Sequence, residues 1–369
     1  MQKKGVAVID IGSSKMSSFI GERGVNKTFV IKGYKEVEYS GYVGGEFLDV
    51  RETVSALKQM ADNIKVSSNS VKKVFVGVPG GFTKNVVRDS QLSFNKKKKI
   101  TDKEINMLYD AGLDANLKGA KIINRSAILY ELDDFRKTPA VFGEVSATLK
   151  GRVSYVLCVD YFIKIVGDTL KKCGFSEVEF ISVPLAESLY LVDFETRDRL
   201  AILLDVGYIS STFTIIQGDG ILYQRSFDFG GGFITAGLTE AFEIDFDLAE
   251  KLKRKATISV VSSESDKYEI VYGDEGMYFN KNKVKQTIVA SLDKLAEEIG
   301  VCITNSKINL PEYASLMITG GGICNLRGAK ERLSDMLNMT VETIVPNLPF
   351  MDKPTCSSYL SVLNLALEQ

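Results

Sequence analysis

The feature that most constrains this chain is a pattern that occurs twice. Val6 to Asp10 is a short, β-branched apolar run ending in Asp-Ile-Gly-Ser-Ser, and Ala201 to Asp205 is another, followed by Val-Gly-Tyr-Ile-Ser-Ser-Thr. Each reads as a buried strand that delivers a carboxylate and then enters a tight polar turn. The two aspartates lie 195 positions apart, so the repeat implies two copies of one lobe, related by a pseudo-twofold, rather than a solenoid of short units. Each copy continues through Ser- and Thr-bearing apolar residues towards a glycine turn, Gly21 to Gly24 and Gly218 to Gly220, as hairpins do. Both lobes therefore start with a strand meander.

Helical periodicity is expected over Val50 to Ile64, Ile163 to Lys172, Leu185 to Asp193, Ile234 to Phe242, Leu248 to Lys255, Val284 to Ile303 and Leu326 to Leu337. Strands and helices alternate, which makes an α/β protein. A length of 369 residues exceeds what one hydrophobic core usually serves, in keeping with more than one domain. Between Gly77 and about Phe162 the character changes. A Lys96 to Lys99 run, a helix capped by Thr101, and β-rich segments at Ile122 to Leu132 and Val141 to Val159 suggest a small inserted domain with its own modest core. The lysine run itself reads as a solvated loop.

Several chemistries are excluded at this level. The chain has no histidine, which removes the commonest general base and transition-metal ligand and rules out Ser-His and Cys-His nucleophiles. Its five cysteines are widely spaced with no C-x-x-C pair, so reduced thiols are the default. A net charge of −1, with basic residues interspersed among acidic ones, offers no field for nucleic acid. Lys3 and Lys4 precede an apolar run too short for a signal-peptide core, and no stretch approaches 18 uninterrupted apolar residues. A cytoplasmic location is expected.

The candidate ligand-binding residues come from the turns. Gly12, Ser13 and Ser14 offer N–H groups and hydroxyls to phosphate oxygens, because a glycine backbone allows an anion to approach closely. Asp10 and Asp205, at the ends of apolar strands, are costly to bury unless they meet donors or a cation, and hydrated magnesium suits two such carboxylates. Taken singly, either aspartate could equally cap its own turn. Gly230-Gly231-Gly232 and Thr319-Gly320-Gly321-Gly322 precede helical segments, where steric freedom and the helix dipole favour anions. Neither matches a P-loop or a G-x-G-x-x-G fingerprint. Glu250 and Lys253 share one helix face and could reach one ligand together, or form a surface ion pair.

In order along the chain, Asp-Ile-Gly-Ser-Ser-Lys at 10 to 15, Asp-Val-Gly at 205 to 207, Gly-Gly at 230 to 231, Ala-Glu-Lys-Leu-Lys at 249 to 253 and Thr-Gly-Gly-Gly at 319 to 322 resemble the actin and chaperone ATPase superfamily. The nearest family is FtsA, the bacterial actin-like cell-division proteins. Ser40-Gly41 through Asp49, Val76-Gly77-Val78, Lys172-Cys173-Gly174-Phe175 and Pro184-Leu185-Ala186 add to the likeness, which spans nearly the whole chain. It implies an actin-like ATPase fold of two duplicated lobes with an FtsA-type inserted subdomain. The first lobe would take 1-82, 163-197 and 355-369, the insert 83-162, the second lobe 198-232 and 306-354, and a further subdomain 233-305. Asp10 and Asp205 would order magnesium. Gly12, Ser13, Ser14 and Lys15 would bracket the phosphates of ATP with Gly207, Tyr208 and Ser210. Gly230, Gly231, Glu250, Lys253, Gly320, Gly321 and Gly322 would hold the rest of the nucleotide. The implied partners are a second copy of the chain, in a head-to-tail filament, and the C-terminal tail of FtsZ.

The chain departs from the resemblance at definite places. Tyr208 and Ile209 stand where the superfamily usually shows glycines, which restricts backbone approach to phosphates. After Gly230-Gly231 the Thr235-Ala236-Gly237 segment lacks the aspartate often found near that helix start. Val183 precedes Pro184 where several hydrolytic relatives carry a glutamate thought to orient the attacking water. At most slow, magnesium-dependent hydrolysis is expected, with nucleotide serving as a conformational or assembly switch. FtsA proteins usually continue to a short amphipathic membrane helix, whereas this chain stops at Gln369, after Tyr359 to Leu367. That segment carries no Lys or Arg and is expected to pack back on the first lobe. The sequence is then expected to be either a shortened form or a relative without an anchor, and membrane contact, at the inner face of the cell membrane, would run through a tail absent from it. A missing tail also fits PilM, the platform protein of type IV pilus machines, which grips a partner's peptide.

Overall fold

The computed structural model describes residues 5–26, 28–68, 70–113, 118–273 and 275–369; Lys3 and Lys4 lie outside the described residues. The chain opens with β1 (Val6–Ile11), β2 (Lys15–Arg23), β3 (Phe29–Glu38), a small hairpin of β4 (Tyr42–Val43) and β5 (Glu46–Phe47), helix α1 (Val50–Ser67) and β6 (Lys73–Val78). Then come β7 (Thr83–Lys99), α2 (Asp102–Ala111), β8 (Ala120–Leu132), β9 (Lys137–Thr138) and β10 (Val145–Val159). They lead into α3 (Asp160–Lys172), β11 (Glu177–Ser182), α4 (Val183–Leu191) and α5 (Phe194–Arg199). The second half runs β12 (Ala201–Val206), β13 (Ser211–Gln217), β14 (Gly220–Phe227), α6 (Gly231–Phe242), α7 (Phe246–Lys255), β15 (Lys267–Tyr272), β16 (Glu275–Asn280) and α8 (Lys281–Ser306). It finishes with β17 (Leu316–Thr319), α9 (Ala329–Leu337), β18 (Val341–Thr343) and α10 (Ser357–Ala366).

Two five-stranded sheets repeat one topology. Their orders are β11-β6-β1-β2-β3 and, read from the other edge, β18-β17-β12-β13-β14. In each, the aspartate-bearing strand pairs antiparallel with its hairpin partner on one side and parallel with a crossover strand on the other. The register repeats as well: Asp10 lies opposite Ser17 and Gly77, and Asp205 opposite Thr212 and Thr319. A central strand of this kind is covered on both faces and reads as a continuous apolar run, which is why Ala7, Val8, Ile9, Ile202 and Leu204 are fully buried.

Helix α1 shows how the sequence specifies its own packing. Asp49 caps it by accepting from the N–H groups of Arg51 and Glu52. Thr53, Ala56, Leu57, Met60, Ala61 and Ile64, at helical spacing, are its buried stripe, each large aliphatic contributing about 1.5–3 kcal/mol. The expected helices all form, with shifts of one to three residues at most ends. The inserted segment is an antiparallel sheet, β7-β10-β8-β9, with α2 packed on it. Thr101 and Glu104 form a capping box, and Ile100, Leu108, Tyr130, Leu132 and Leu149 make a separate core.

Some expectations are corrected. The Lys96 to Lys99 run is the solvent-exposed end of β7 rather than a loop, because β10 reaches far enough to pair with it. Gly21 lies inside β2 and the turn starts at Gly24. A Cβ on Gly21 would run into Leu363 of α10, so this glycine seats the C-terminal helix. The boundaries at 162/163, 197/198 and 232/233 each fall inside a helix, α3, α5 and α6, and 305/306 falls at the last residue of α8.

Buried Arg197 on α5 ties the connection out of α4 to the β13–β14 turn. It donates to the carbonyls of Leu189, Val192 and Gly218 and to the carboxylate of Asp219. Replacing it by methionine keeps the apolar stem but leaves those carbonyls without a donor. We expect Arg197→Met to cost on the order of 3 kcal/mol, read as a lower urea midpoint for unfolding.

Candidate nucleotide cleft

The two Asp turns are the same small structure facing itself. In each, the glycine N–H donates to the carbonyl three residues on: Gly12 to Lys15 at 2.8 Å and Gly207 to Ser210 at 3.0 Å. They meet across a cavity of about 650 Å³. Asp10, Gly12, Ser13, Ser14 and Lys15 line it from the first lobe, and Asp205, Gly207, Tyr208, Ser210, Glu250, Lys253, Gly320 and Gly321 from the second. Residues read separately along 311 positions therefore share one wall-to-wall cleft.

Gly230, Gly231 and Gly322, also expected to touch ligand, do not line the cavity. They pack beneath the second turn, backbone on backbone. The N–H of Gly231 donates to Gly207 O at 2.9 Å, Gly232 to Tyr208 O at 2.8 Å and Gly322 to Val206 O at 2.8 Å. A Cβ on Gly230 would lie 2.4 Å from Tyr208 O, and one on Gly322 equally close to Gly207 O. Glycine is required here for close packing rather than for anion contact. Gly320, at φ +87°, does border the cavity, and a Cβ there would strike the Asp205 carboxylate.

The carboxylates have little relief. Asp10 is 7% exposed, and burial pushes its carboxyl up to about 6, against the opposing effect of a 2.7 Å hydrogen bond donated by Ser358 of α10. Burial, then the nearby charge of Asp10, pushes Asp205 up to about 7. Among the described residues neither aspartate is in an ion pair, which is the condition a hydrated divalent cation would relieve. The donor set, two carboxylates with hydroxyls and open backbone N–H groups, fits magnesium and phosphate oxygens.

At the phosphate end the lobes touch directly. The N–H groups of Tyr208 and Ile209 both donate to Ser13 Oγ, at 3.2 and 3.0 Å. Ser210 Oγ donates to Tyr42 Oη at 3.3 Å. The Ser13 hydroxyl thus joins the first turn to the backbone of the second. Gly41, at φ +87°, lets its loop press against Ser13 O, where a Cβ would clash. Lys15 borders the cavity, yet its ammonium pairs with Glu36 at 2.8 Å and Glu38 at 3.6 Å on β3.

Glu250 and Lys253 are not a surface ion pair. Lys253, 8% exposed, contacts Glu250 at 2.6 Å and donates to Gly231 O and Thr235 Oγ1. Glu250 also accepts from Thr235 and Arg254. Its burial, which raises the carboxyl, is outweighed by these donors, so it stays below the usual range. The Tyr208 ring stands 5.7 Å from the Lys253 ammonium, so the residue in place of a glycine forms part of this wall.

Ser358 and Glu187 are among the contributors that sequence reasoning missed. Ser358 and its neighbour Ser357, which hydrogen-bonds Thr319 at 2.7 Å, come from a helix whose register only the fold reveals. Glu187 lines the cavity from α4 at 1% exposure. Its signal was present: it is the single charge in the apolar stretch Val183–Leu191.

Comparisons with known proteins follow this geometry. The family model for "Cell division protein FtsA" matches residues 202–362. The FtsA of Neisseria meningitidis serogroup B is 21% identical over 354 residues, covering 94% of this chain and 84% of its own. The FtsA of Staphylococcus epidermidis is 22% identical over 381 residues, covering 100% and 80%. Among solved structures, a PilM–PilN type IV pilus biogenesis complex aligns over 100% of both chains with a TM-score of 0.65 and 17% identity. MreB 5 of Spiroplasma citri bound to AMPPNP aligns over 99% of this chain and 96% of its own, with a TM-score of 0.58 and 11% identity. These structures share the actin-like fold with this chain.

A raised folded-state carboxyl favours the native state below the unfolded value and loses that advantage as pH rises through 6 to 7. Asp10→Asn and Asp205→Asn should therefore raise the melting temperature of the nucleotide-free protein by a few degrees at pH 8 and hardly at pH 3.5, below the unfolded-state value of 3.8. An equal effect at both pH values in thermal denaturation would contradict the burial argument.

Proposed function

We propose that the chain, which is similar to the FtsA family of actin-like proteins, is an ATP-binding scaffold of bacterial cell division. In this reading it self-assembles head to tail and links FtsZ, through the FtsZ C-terminal tail, to other division components. The observation that carries the proposal is the pair of matching Asp-x-Gly turns facing each other across one cleft, each opening on a carboxylate, Asp10 buried and Asp205 partly buried.

Bound ATP with magnesium would supply the anionic bridge and counter-cation that this cleft is built around. The chain's own residues do the rest. Asp10 and Asp205 would hold the hydrated cation, and Ser358 donates a hydrogen bond to the Asp10 carboxylate. The N–H groups of Tyr208 and Ile209, which donate to Ser13, would hold phosphate oxygens once released from it. Tyr208, Glu250 and Lys253 wall the nucleoside end, with Gly320 and Gly321 leaving backbone room beside them. Since the lobes meet at Ser13, exchanging that contact for a ligand alters how one lobe sits on the other. Nucleotide then acts as an assembly switch, with hydrolysis slow at most, and the protein works in the cytoplasm at the inner face of the membrane.

A second reading, a cytoplasmic platform resembling PilM that binds a partner's peptide, is supported by the full-length structural alignment with the PilM–PilN complex. The two diverge in assembly and partner.

Titration calorimetry with ATP in millimolar Mg²⁺ should show binding that Asp10→Ala and Asp205→Ala each weaken by at least about tenfold. The same samples should form ATP-dependent filaments by electron microscopy and retain an FtsZ tail peptide. Binding without filaments, together with capture of a pilus-protein peptide, would instead favour the platform. Absence of binding at millimolar nucleotide would refute the nucleotide reading and leave an actin-like adaptor.

A further inference from the structure

Helix α4 opens with Ser182 as its cap and Pro184 in its first turn. Val183 and Glu187, four residues apart, are about one turn from each other and share a face. Both line the cleft, as does Pro184. Val183 is seated at the Asp10 end: a Cβ added to Gly77 would lie 2.7 Å from Asp10 Oδ1 and 3.2 Å from Val183 Cγ2. An apolar side chain there offers no acceptor to anything bound beside Asp10. The next side chain along that face is a carboxylate.

Glu187 is singular among the buried charges. Arg197, Lys253, Glu104 and Asp10 all have hydrogen-bonding partners. Glu187, at 1% exposure, has none among the described residues, and its Oε1 is wholly enclosed. The neighbouring Ser188 hydroxyl is committed to Pro184 O at 2.7 Å. A buried carboxylate without partners is strongly disfavoured, so its position on a cavity wall that also holds Asp10 and Asp205 points to a ligand. Among the described residues no three acidic, cysteine or histidine side chains converge closely enough to hold a metal ion directly. A hydrated cation suits carboxylates spaced in this way, because magnesium keeps most of its hydration shell.

We propose that Glu187 is the third carboxylate of the cation end of this cleft, accepting a hydrogen bond from a water of a hydrated divalent cation and doing from one helical turn deeper what Val183 cannot. This rests on the nucleotide reading above for its setting, while the cation claim can be tested alone. Glu187 is a positioning residue here: it acts through the cation's water.

The test measures cation affinity rather than turnover. Mn²⁺ binding to the full chain, with and without ADP, is followed by the loss of the free Mn²⁺ electron paramagnetic resonance signal. Glu187→Gln should weaken Mn²⁺ binding by about tenfold or more, as loss of an outer-shell partner typically does. ADP affinity measured in EDTA should stay within about twofold. Val183→Glu in the Glu187→Gln background should recover most of the Mn²⁺ affinity by returning a carboxylate to the same face. Circular dichroism of each variant separates these effects from misfolding, and the near-isosteric glutamine makes misfolding the lesser risk. Unchanged Mn²⁺ affinity in folded Glu187→Gln would overturn the proposal. So would a wild type that binds no Mn²⁺ under either condition. Mn²⁺ binding that needs Glu187 without any ADP binding would sustain the cation role and sink the nucleotide reading instead.

Discussion

Everything in this molecule is arranged around two carboxylates at the ends of two buried strands. Such groups are expensive to remove from water, and the chain holds them in place with backbone rather than with counter-charges. Beneath Asp205 the segments Val206–Tyr208, Gly230–Gly232 and Gly320–Gly322 are hydrogen-bonded main chain to main chain, at separations that no Cβ could tolerate. The electrostatic cost is left unsettled inside the protein, and a ligand bringing positive charge is the natural way to offset it.

The duplication makes the cleft a joint between two lobes. Each lobe buries its own sheet, yet Ser13 of the first accepts from the second turn's backbone, and Gln224 donates to Gly80 O and Thr83 across the same divide. The C-terminal helix adds a further tie. Its first turn reaches Asp10 through Ser358 and Thr319 through Ser357, so one short segment touches an aspartate-bearing strand of the first lobe and, in the second, the strand paired with Asp205. The inserted sheet is also bridged, to β14 by Asn85 and Ser154 and to Ser182, the cap of α4, by Asn124.

The likeness to FtsA and the fold's resemblance to PilM and MreB structures are compatible with one scaffold serving different assemblies, since function resides in sites set on a shared fold. In this chain the individual features are Tyr208 in the cleft wall, Val183 in the first turn of α4 and Glu187 one turn later. Each changes the chemistry of the same cavity without changing the sheets around it.

The repeated apolar strand, aspartate and glycine turn determined, from residue order alone, the two-lobed α/β architecture, the longer helices and the two facing turns of the cleft. Local rules suffice for that, because a β-branched run, a glycine and a helical stripe each act over a few residues. Tertiary structure alone decided which glycines face the cavity and which lie under it, that Glu250 and Lys253 form a buried wall, that Lys15 turns to Glu36 and Glu38, and that Ser358 and Glu187 join the site. Those outcomes depend on which backbones approach within a Cβ's radius and on what burial leaves unpartnered. Both are properties of contacts between segments far apart in the chain, which spacing along it does not encode.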